Sequence, residues 1–252
     1  MRIATWNVNS LKVRLPHLMQ WLEANPVDVL CLQETKSEDK NYPQAVLEAA
    51  GYRSVYSGQK TYNGVAILSR APATDVQYGM PNFDDEQKRV IAATIEGVRI
   101  FSVYVPNGQE VGSDKYEYKL RWLAALTAWL KDELVKYPKL ALLGDYNIAP
   151  EDRDVYDPLA WKDHVLCSEP ERAAFRALLA LGLRDAFRVH EPGEKIFSWW
   201  DYRMMAFRRN MGLRIDHILI SQALQCSACF IDKAPRKLER PSDHAPVVAD
   251  IA

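Results

Sequence analysis

Short apolar runs that each stop on a polar residue recur along the whole of this chain. Residues 2–6 lead to Asn7, 27–32 to Gln33-Glu34, 98–103 to Tyr104, and 140–143 to Gly144-Asp145-Tyr146-Asn147. Further on, Leu213-Arg214-Ile215 leads to Asp216 and the strand-like residues 217–220, and Ser242-Asp243-His244 opens the run 245–251. Short buried strands with polar residues at their edges describe a layered α/β protein. Further strands fit 52–56, 64–68 and 89–95.

Amphipathic segments fill the gaps. Leu15, Leu18, Met19 and Leu22 share a helical face, with Pro16 expected in a first turn and Asn25-Pro26 closing the segment. A second helix is expected over 116–136, with Leu120, Leu123, Leu126, Leu130 and Leu134 at core spacing, and a third over about 170–181, capped by Gly182. Trp21, Trp122 and Trp129 sit in these patterns and need only core packing. Two packed sheets with helices outside use this inventory economically, and a single doubly wound sheet is the alternative that periodicity separates poorly. The 252 residues contain no linker-like segment, so one domain over 1–252 is expected.

Composition narrows the function. With 32 Lys plus Arg against 33 Asp plus Glu and a net charge of -1, the chain is no polybasic binder, so nucleic acid must be held through a local patch. No apolar run approaches a bilayer span, and residues 1–7 read as a strand, which predicts a soluble, cytoplasmic protein with no membrane partner. Cys31, Cys167, Cys226 and Cys229 are too few and too spread for a disulfide scaffold, and the Cys226/Cys229 spacing has no second pair that would make a zinc site.

The polar residues at strand ends divide into two sets. Glu34, Asp145, Asp216 and Asp243, helped by Asn7 and Asn147, offer the hard oxygen ligands that Mg²⁺ or Mn²⁺ prefers. His244 supports proton transfer if a carboxylate orients its ring. The stretch from Phe197 through Trp199-Trp200 and Tyr202 to Arg203, Arg208 and Arg209 mixes aromatics with cations, a composition suited to an extruded sugar and to phosphates.

Gln33-Glu34-Thr35, Gly144-Asp145-Tyr146-Asn147-Ile148, Gly212-Leu213-Arg214-Ile215-Asp216 and Ser242-Asp243-His244-Ala245-Pro246 resemble, in order, the motifs of the exonuclease III family of apurinic/apyrimidinic endonucleases. Trp6-Asn7-Val8-Asn9 and Tyr104-Val105-Pro106-Asn107-Gly108 extend the resemblance over almost the whole chain. It implies a four-layered α/β sandwich with two packed mixed β-sheets flanked by helices. It also implies a Mg²⁺-dependent hydrolase, with Mn²⁺ able to substitute, that cleaves the phosphodiester 5' to an abasic site and processes 3' ends as exonuclease and phosphatase.

By the same resemblance Glu34 is the principal metal ligand, with Asn7 close by and touching substrate, and Asp243 on the metal side. Asp145 handles the attacking water, Asn147 holds it or the phosphate, and Tyr104 hydrogen-bonds the phosphate. His244, oriented by Asp216, contacts the scissile phosphate. Trp199, Leu213 and Ile215 match the family's pocket positions, Arg203, Arg208 and Arg209 are expected on DNA, and Lys60, Asn63, Lys115 and Lys119 extend that surface. Asn9-Ser10 and Leu213 depart from many relatives, which bears on the metal-side contact and on substrate preference. The partner is double-stranded DNA with abasic sites or blocked 3' ends, met at the nucleoid by a monomer. The rivals are a specialised 3' exonuclease/phosphatase, a non-DNA phosphoesterase and an inactive nucleic-acid-binding regulator.

Overall fold

The computed structural model describes residues 1–190 and 193–252. In chain order it contains β1 (Arg2–Asn7), α1 (Leu11–Ala24), β2 (Val29–Gln33), α2 (Gln44–Ala49), β3 (Arg53–Ser57), β4 (Val65–Ser69), β5 (Thr74–Tyr78), β6 (Val90–Ile95) and β7 (Val98–Tyr104). There follow α3 (Asp114–Lys136), β8 (Leu140–Asp145), α4 (Glu169–Ala180), β9 (Arg184–Asp185), α5 (Ala186–Val189), β10 (Trp199–Trp200), β11 (Gly212–Leu213), β12 (Asp216–Ile220), β13 (Cys226–Ile231) and β14 (Val247–Ile251). Among the described residues no helix is long and apolar enough to cross a membrane.

Two six-stranded sheets form, in the orders β13-β14-β1-β2-β4-β3 and β5-β6-β7-β8-β12-β9. Each has one parallel pair among antiparallel neighbours: β1 with β2, joined through α1, and β7 with β8, joined through α3. The single doubly wound sheet is thereby excluded. Ile3, Val29, Cys31 and Ile67 of the first sheet pack against Ile91, Ile100, Ala141, Leu143 and Ile218 of the second. The alternate residues Ala4, Trp6, Leu30 and Leu32 face α1, while Phe101, Val103, Leu140 and Leu142 face α3 and α4. Both faces of each central strand are therefore covered, which is why these strands read as continuous apolar runs in the sequence.

Local chemistry sets the ends. Ser113 caps α3 by accepting from the Tyr116 amide, with Asp114 and Glu117 in the first turn, where the helix dipole favours them. Ser168 and Glu171 form a capping box on α4, and Gly182 follows its C-cap at φ +93°, as expected for a left-handed stop. Gly144 is fixed by a close approach, because a Cβ there would lie 1.9 Å from the Val103 carbonyl on β7.

Several expectations need correction. Pro16 lies inside α1, beyond the first turn; it is exposed, and so is Lys12, whose carbonyl loses a helical donor. On α3 Lys119 is buried at 0% exposure while Leu120 is half-buried, so a lysine takes a place on the core face. β5 is an edge strand with too few apolar residues to stand out, and β13, apolar from Ala228 to Ile231 but only partly buried, is a second edge strand beyond those expected. Cys226 and Cys229 lie on β13, and all four cysteines are free thiols.

Candidate active site

The topology gathers the polar strand ends on one edge. β1, β2, β7 and β8 finish there at Asn7, Gln33, Tyr104 and Asp145; β12, antiparallel to β8, starts opposite Asp145 with Asp216, and β14, antiparallel to β1, starts just after His244. Beneath the edge a buried polar thread ties the sheets together. Thr5 Oγ1 donates to Gln33 Oε1 at 3.1 Å, Gln33 Nε2 donates to Ser102 Oγ at 3.2 Å, and that hydroxyl donates to the Leu32 carbonyl.

Asn7 sits between two carboxylates, Glu34 just past the neighbouring strand β2 and Asp145 at the end of β8 in the facing sheet. Its Nδ2 donates to Glu34 Oε1 and to Asp145 Oδ2, each at 2.9 Å, and its Oδ1 accepts from the Asn9 amide at 2.9 Å. Glu34 leaves β2 at φ +49° and pairs through Oε2 with Lys36 Nζ at 2.9 Å. Lys36 also donates to Asn9 Oδ1 at 2.5 Å. Ligand atoms of Glu34, Asp145 and His244 lie within 4.8 Å of one another, a group that can hold a divalent ion.

His244 is held from behind. Its Nδ1 donates to Asp216 Oδ2 at 2.9 Å, and Nε2 lies 3.6 Å from Asp145 Oδ2. Asp216 accepts in turn from Ser198 Oγ at 2.7 Å, and the same hydroxyl accepts from the amides of Ile215 and Asp216. Burial opposes charge on the ring, but Asp216 and Asp145 outweigh it and raise the His244 pKa. Burial, with Asp216 adding to it, pushes the Asp145 carboxyl up. Burial and the nearby Glu34 and Asp145 lift Tyr104 well above a free phenol, so it stays a hydrogen-bond donor. Asn147, at φ +49°, donates its amide to Asp145 Oδ1 at 2.9 Å and its Nδ2 to the Val105 carbonyl.

Two expected ligands stand elsewhere. Asp243 has both oxygens engaged, Oδ2 by Trp199 Nε1 at 3.0 Å and Oδ1 by Asn9 Nδ2 at 3.0 Å, and it is not part of the Glu34, Asp145 and His244 group. The oxygen of Asn7 is turned to a backbone amide, so its side chain spaces the carboxylates instead of facing them with a ligand atom. Lys119, expected on the DNA surface, turns inward to Glu171. Sequence reading passed over Lys36, Asn9 as a bridge, Ser198 and Ser242; Ser242 Oγ donates to the Asn7 carbonyl at 2.6 Å. Ser242 opens one of the quoted motifs, Ser198 lies in the aromatic and cationic stretch, and Lys36 follows Gln33-Glu34-Thr35, which is the signal that could have found them.

An open groove of about 1140 Å³ runs along this edge, with Glu34, Tyr104, Asn63, Lys115 and Arg203 among its lining. Trp199 is half-buried, whereas Leu213 and Ile215 are buried at 0% and 1% exposure beside Val155, Leu166 and Cys167. Arg203, Arg208 and Arg209 are exposed on the segment that follows Trp200, and Lys60 is exposed near Asn63.

Behind the Leu213–Asp216 stretch lies a second buried cluster. Arg214 pairs with Asp154 at 2.7 Å and Asp185 at 2.8 Å, and its Nη1 donates to His217 Nδ1 at 3.1 Å. His217 Nε2 donates to the Ile148 carbonyl at 2.8 Å. Burial first, and Arg214 second, lower His217 to about 4, so it is neutral in the fold. The unfolded chain takes up a proton near 6.5 that the folded chain refuses until about 4. Stability is expected to fall as pH drops through that window, by up to about 3 kcal/mol from this group. Urea midpoints at pH 7 and pH 4.5 check it: His217→Gln should flatten the slope, and an unchanged slope would contradict the assignment.

Two helix-covered sheets with a carboxylate and imidazole cluster able to hold a divalent ion at one shared edge describe a phosphoesterase architecture, and the model of the Endonuclease/Exonuclease/phosphatase family matches residues 4–244. Relatives narrow this further. A structure of the 3' phosphatase NExo from Neisseria, bound to product DNA hairpin, is 50% identical, covers 100% of this chain and 99% of that one, and has a TM-score of 0.98. An AP endonuclease from Archaeoglobus fulgidus is 40% identical over 99% of this chain and 98% of that one, with a TM-score of 0.96. Exodeoxyribonuclease III of Haemophilus influenzae is 36% identical over 265 residues, 99% of both chains. The chain belongs to the exonuclease III/AP endonuclease family of the endonuclease/exonuclease/phosphatase superfamily, and it is an enzyme of that family.

Proposed function

We propose that this enzyme hydrolyses the DNA phosphodiester 5' to an abasic site and also clears 3' ends, as 3'-5' exonuclease and 3'-phosphatase, with Mg²⁺ as its cofactor and Mn²⁺ able to replace it. The observation that carries the reading is the convergence of Glu34, Asp145 and His244 within 4.8 Å beside an Asp216-held imidazole. Glu34 and Asp145 present hard oxygens and are the residues that would hold the ion; once bound, it supplies charge to the phosphate oxygens and the leaving oxygen.

The remaining work falls to the chain itself. Asp145 Oδ2 accepts hydrogen from the attacking water and steers it in line with the leaving 3' oxygen. The His244 ring, kept charged by Asp216, donates from Nε2 to a phosphate oxygen, and the Tyr104 phenol donates a second hydrogen bond. Asn147, locked beside Asp145, keeps the carboxylate oriented. Asp243 acts away from the ion, fixing Trp199 at the mouth of the sugar site. Arg203, Arg208 and Arg209 hold the phosphate backbone, and the enzyme works as a monomer at the nucleoid.

A second reading, a specialised 3'-end exonuclease and phosphatase, is favoured by the burial of Leu213 and Ile215, which leaves an extruded sugar little room unless Trp199 moves. The name of the 50% identical Neisseria relative supports the same reading. A labelled duplex with one tetrahydrofuran abasic analogue, run beside a 3'-recessed and a 3'-phosphate duplex, separates the two. Incision 5' to the analogue supports the first; end processing without incision supports the second. Glu34→Gln is expected to raise the Mg²⁺ concentration for half-maximal activity by about tenfold or more. A metal titration that leaves the midpoint unmoved would remove Glu34 from the ligand set.

A further inference from the structure

Among the described residues Lys119 is the one lysine at 0% exposure, and its ammonium is fully used. Its Nζ donates to the Asn147 carbonyl at 2.7 Å, to the Asn107 carbonyl at 3.1 Å and to Glu171 Oε1. The first two acceptors belong to the loops that follow β8 and β7, which carry Asp145 and Tyr104 to the site. Asn147 is thereby pinned at both ends of its backbone, its amide on Asp145 and its carbonyl on Lys119, in a left-handed conformation that Asn tolerates better than most residues. The chain makes room for the stem: Gly108 stands at φ +93°, and a Cβ there would meet Lys119 Cδ at 3.1 Å. Glu171 extends the arrangement, accepting from the amides of Leu166 and Ser168, and Leu166 packs against Leu213 and Ile215.

We infer that Lys119 is a positioning residue for hydrolysis, its buried ammonium clamping the Asn107 and Asn147 carbonyls so that the loop after β8 presents Asn147 and Asp145 in one fixed geometry. Nothing in this assignment places Lys119 on the substrate. It rests on the hydrolytic reading above, and it predicts a defect in turnover, not in binding. A shift of catalytic groups by about 1 Å costs on the order of a hundredfold in rate.

Removing both charges together, Lys119→Met with Glu171→Gln, avoids a stranded buried carboxylate. This pair is expected to lower kcat per folded molecule by about 30- to 100-fold with Kd for duplex within about threefold. The matched control is Arg99→Met with Glu133→Gln, which removes the other buried ion pair of α3, paired at 2.9 Å and remote from the site. It should lose stability and keep kcat. Equal effects of the two pairs on kcat would overturn the inference.

Lys119→Arg keeps a cation against Glu171, but its planar fork does not fit the two carbonyls as the ammonium does. A kcat lowered by about tenfold at near wild-type Tm is expected, and it decides the matter if the double variant does not fold. Wild-type turnover in Lys119→Arg would overturn the clamp. Wild-type enzyme that cleaves none of the three duplexes would instead overturn the functional reading. The clamp is then judged by the side-chain amide resonance of Asn147, which Lys119→Arg shifts and the Arg99/Glu133 control does not; an unmoved resonance overturns it.

Discussion

Asp145→Asn should reduce kcat by about a thousandfold or more while Kd for duplex DNA, measured by anisotropy with the metal chelated, changes by no more than about threefold. The substitution keeps the shape and the Oδ1 acceptor for the Asn147 amide at 2.9 Å. It replaces Oδ2, the atom that accepts from Asn7 Nδ2 at 2.9 Å and lies 3.6 Å from His244 Nε2, with a group that accepts no proton. It also sets two amide donors against each other, because Asn7 cannot turn without abandoning the Asn9 amide. Turnover within about tenfold of wild type would deny Asp145 its part in handling water.

The largest effect on stability is expected far from the groove. Arg214→Met leaves buried Asp185 without its cation and buried Asp154 with Arg188 alone, and should cost about 3–5 kcal/mol of unfolding free energy, read from urea midpoints with an unchanged m-value. Asp154 has its pKa held down in the fold, burial pushing it up but Arg214 and Arg188 prevailing. Its stabilising share is therefore present above the ordinary carboxylate range and lost as pH falls below that range toward the depressed folded value. Changing Asp154 and Asp185 to Asn in the same chain should recover much of the loss, since neutral amides need no buried counter-charge. A cost below about 1 kcal/mol in the single variant would mean that water reaches the cluster.

The motifs that carry the chemistry were legible because each sits where a covered strand meets solvent. A run such as 140–143 is apolar because both of its faces are buried, and the polar residues that follow are then conspicuous. The same logic failed where burial is partial: β5, on a sheet edge, has no need of a continuous apolar run and left little trace. Helical periodicity located α3 but chose Leu120 for the core over Lys119. Whether a lysine can be buried depends on an acceptor set supplied by Asn107, Asn147 and Glu171, the last 52 positions away.

The roles of neighbouring carboxylates divide in the same way. Sequence identified Glu34, Asp145, Asp216 and Asp243 as a set, since strand ends and motif order are local properties of the chain. Which of them meet is decided by strand order and register: β12 runs antiparallel to β8, which sets Asp216 opposite Asp145, and the entry to β14 sets His244 between them. Asp243, one residue away, points to the other side and is spent on Trp199 and Asn9. The sequence by itself determined the class of fold, the residue types at the site and their chemistry, because these follow from burial and local conformation. The tertiary structure alone decided which oxygens face a common point, which amide holds them apart and which lysine is sealed beneath them, because those depend on distances between segments that the chain brings together only when the two sheets pack.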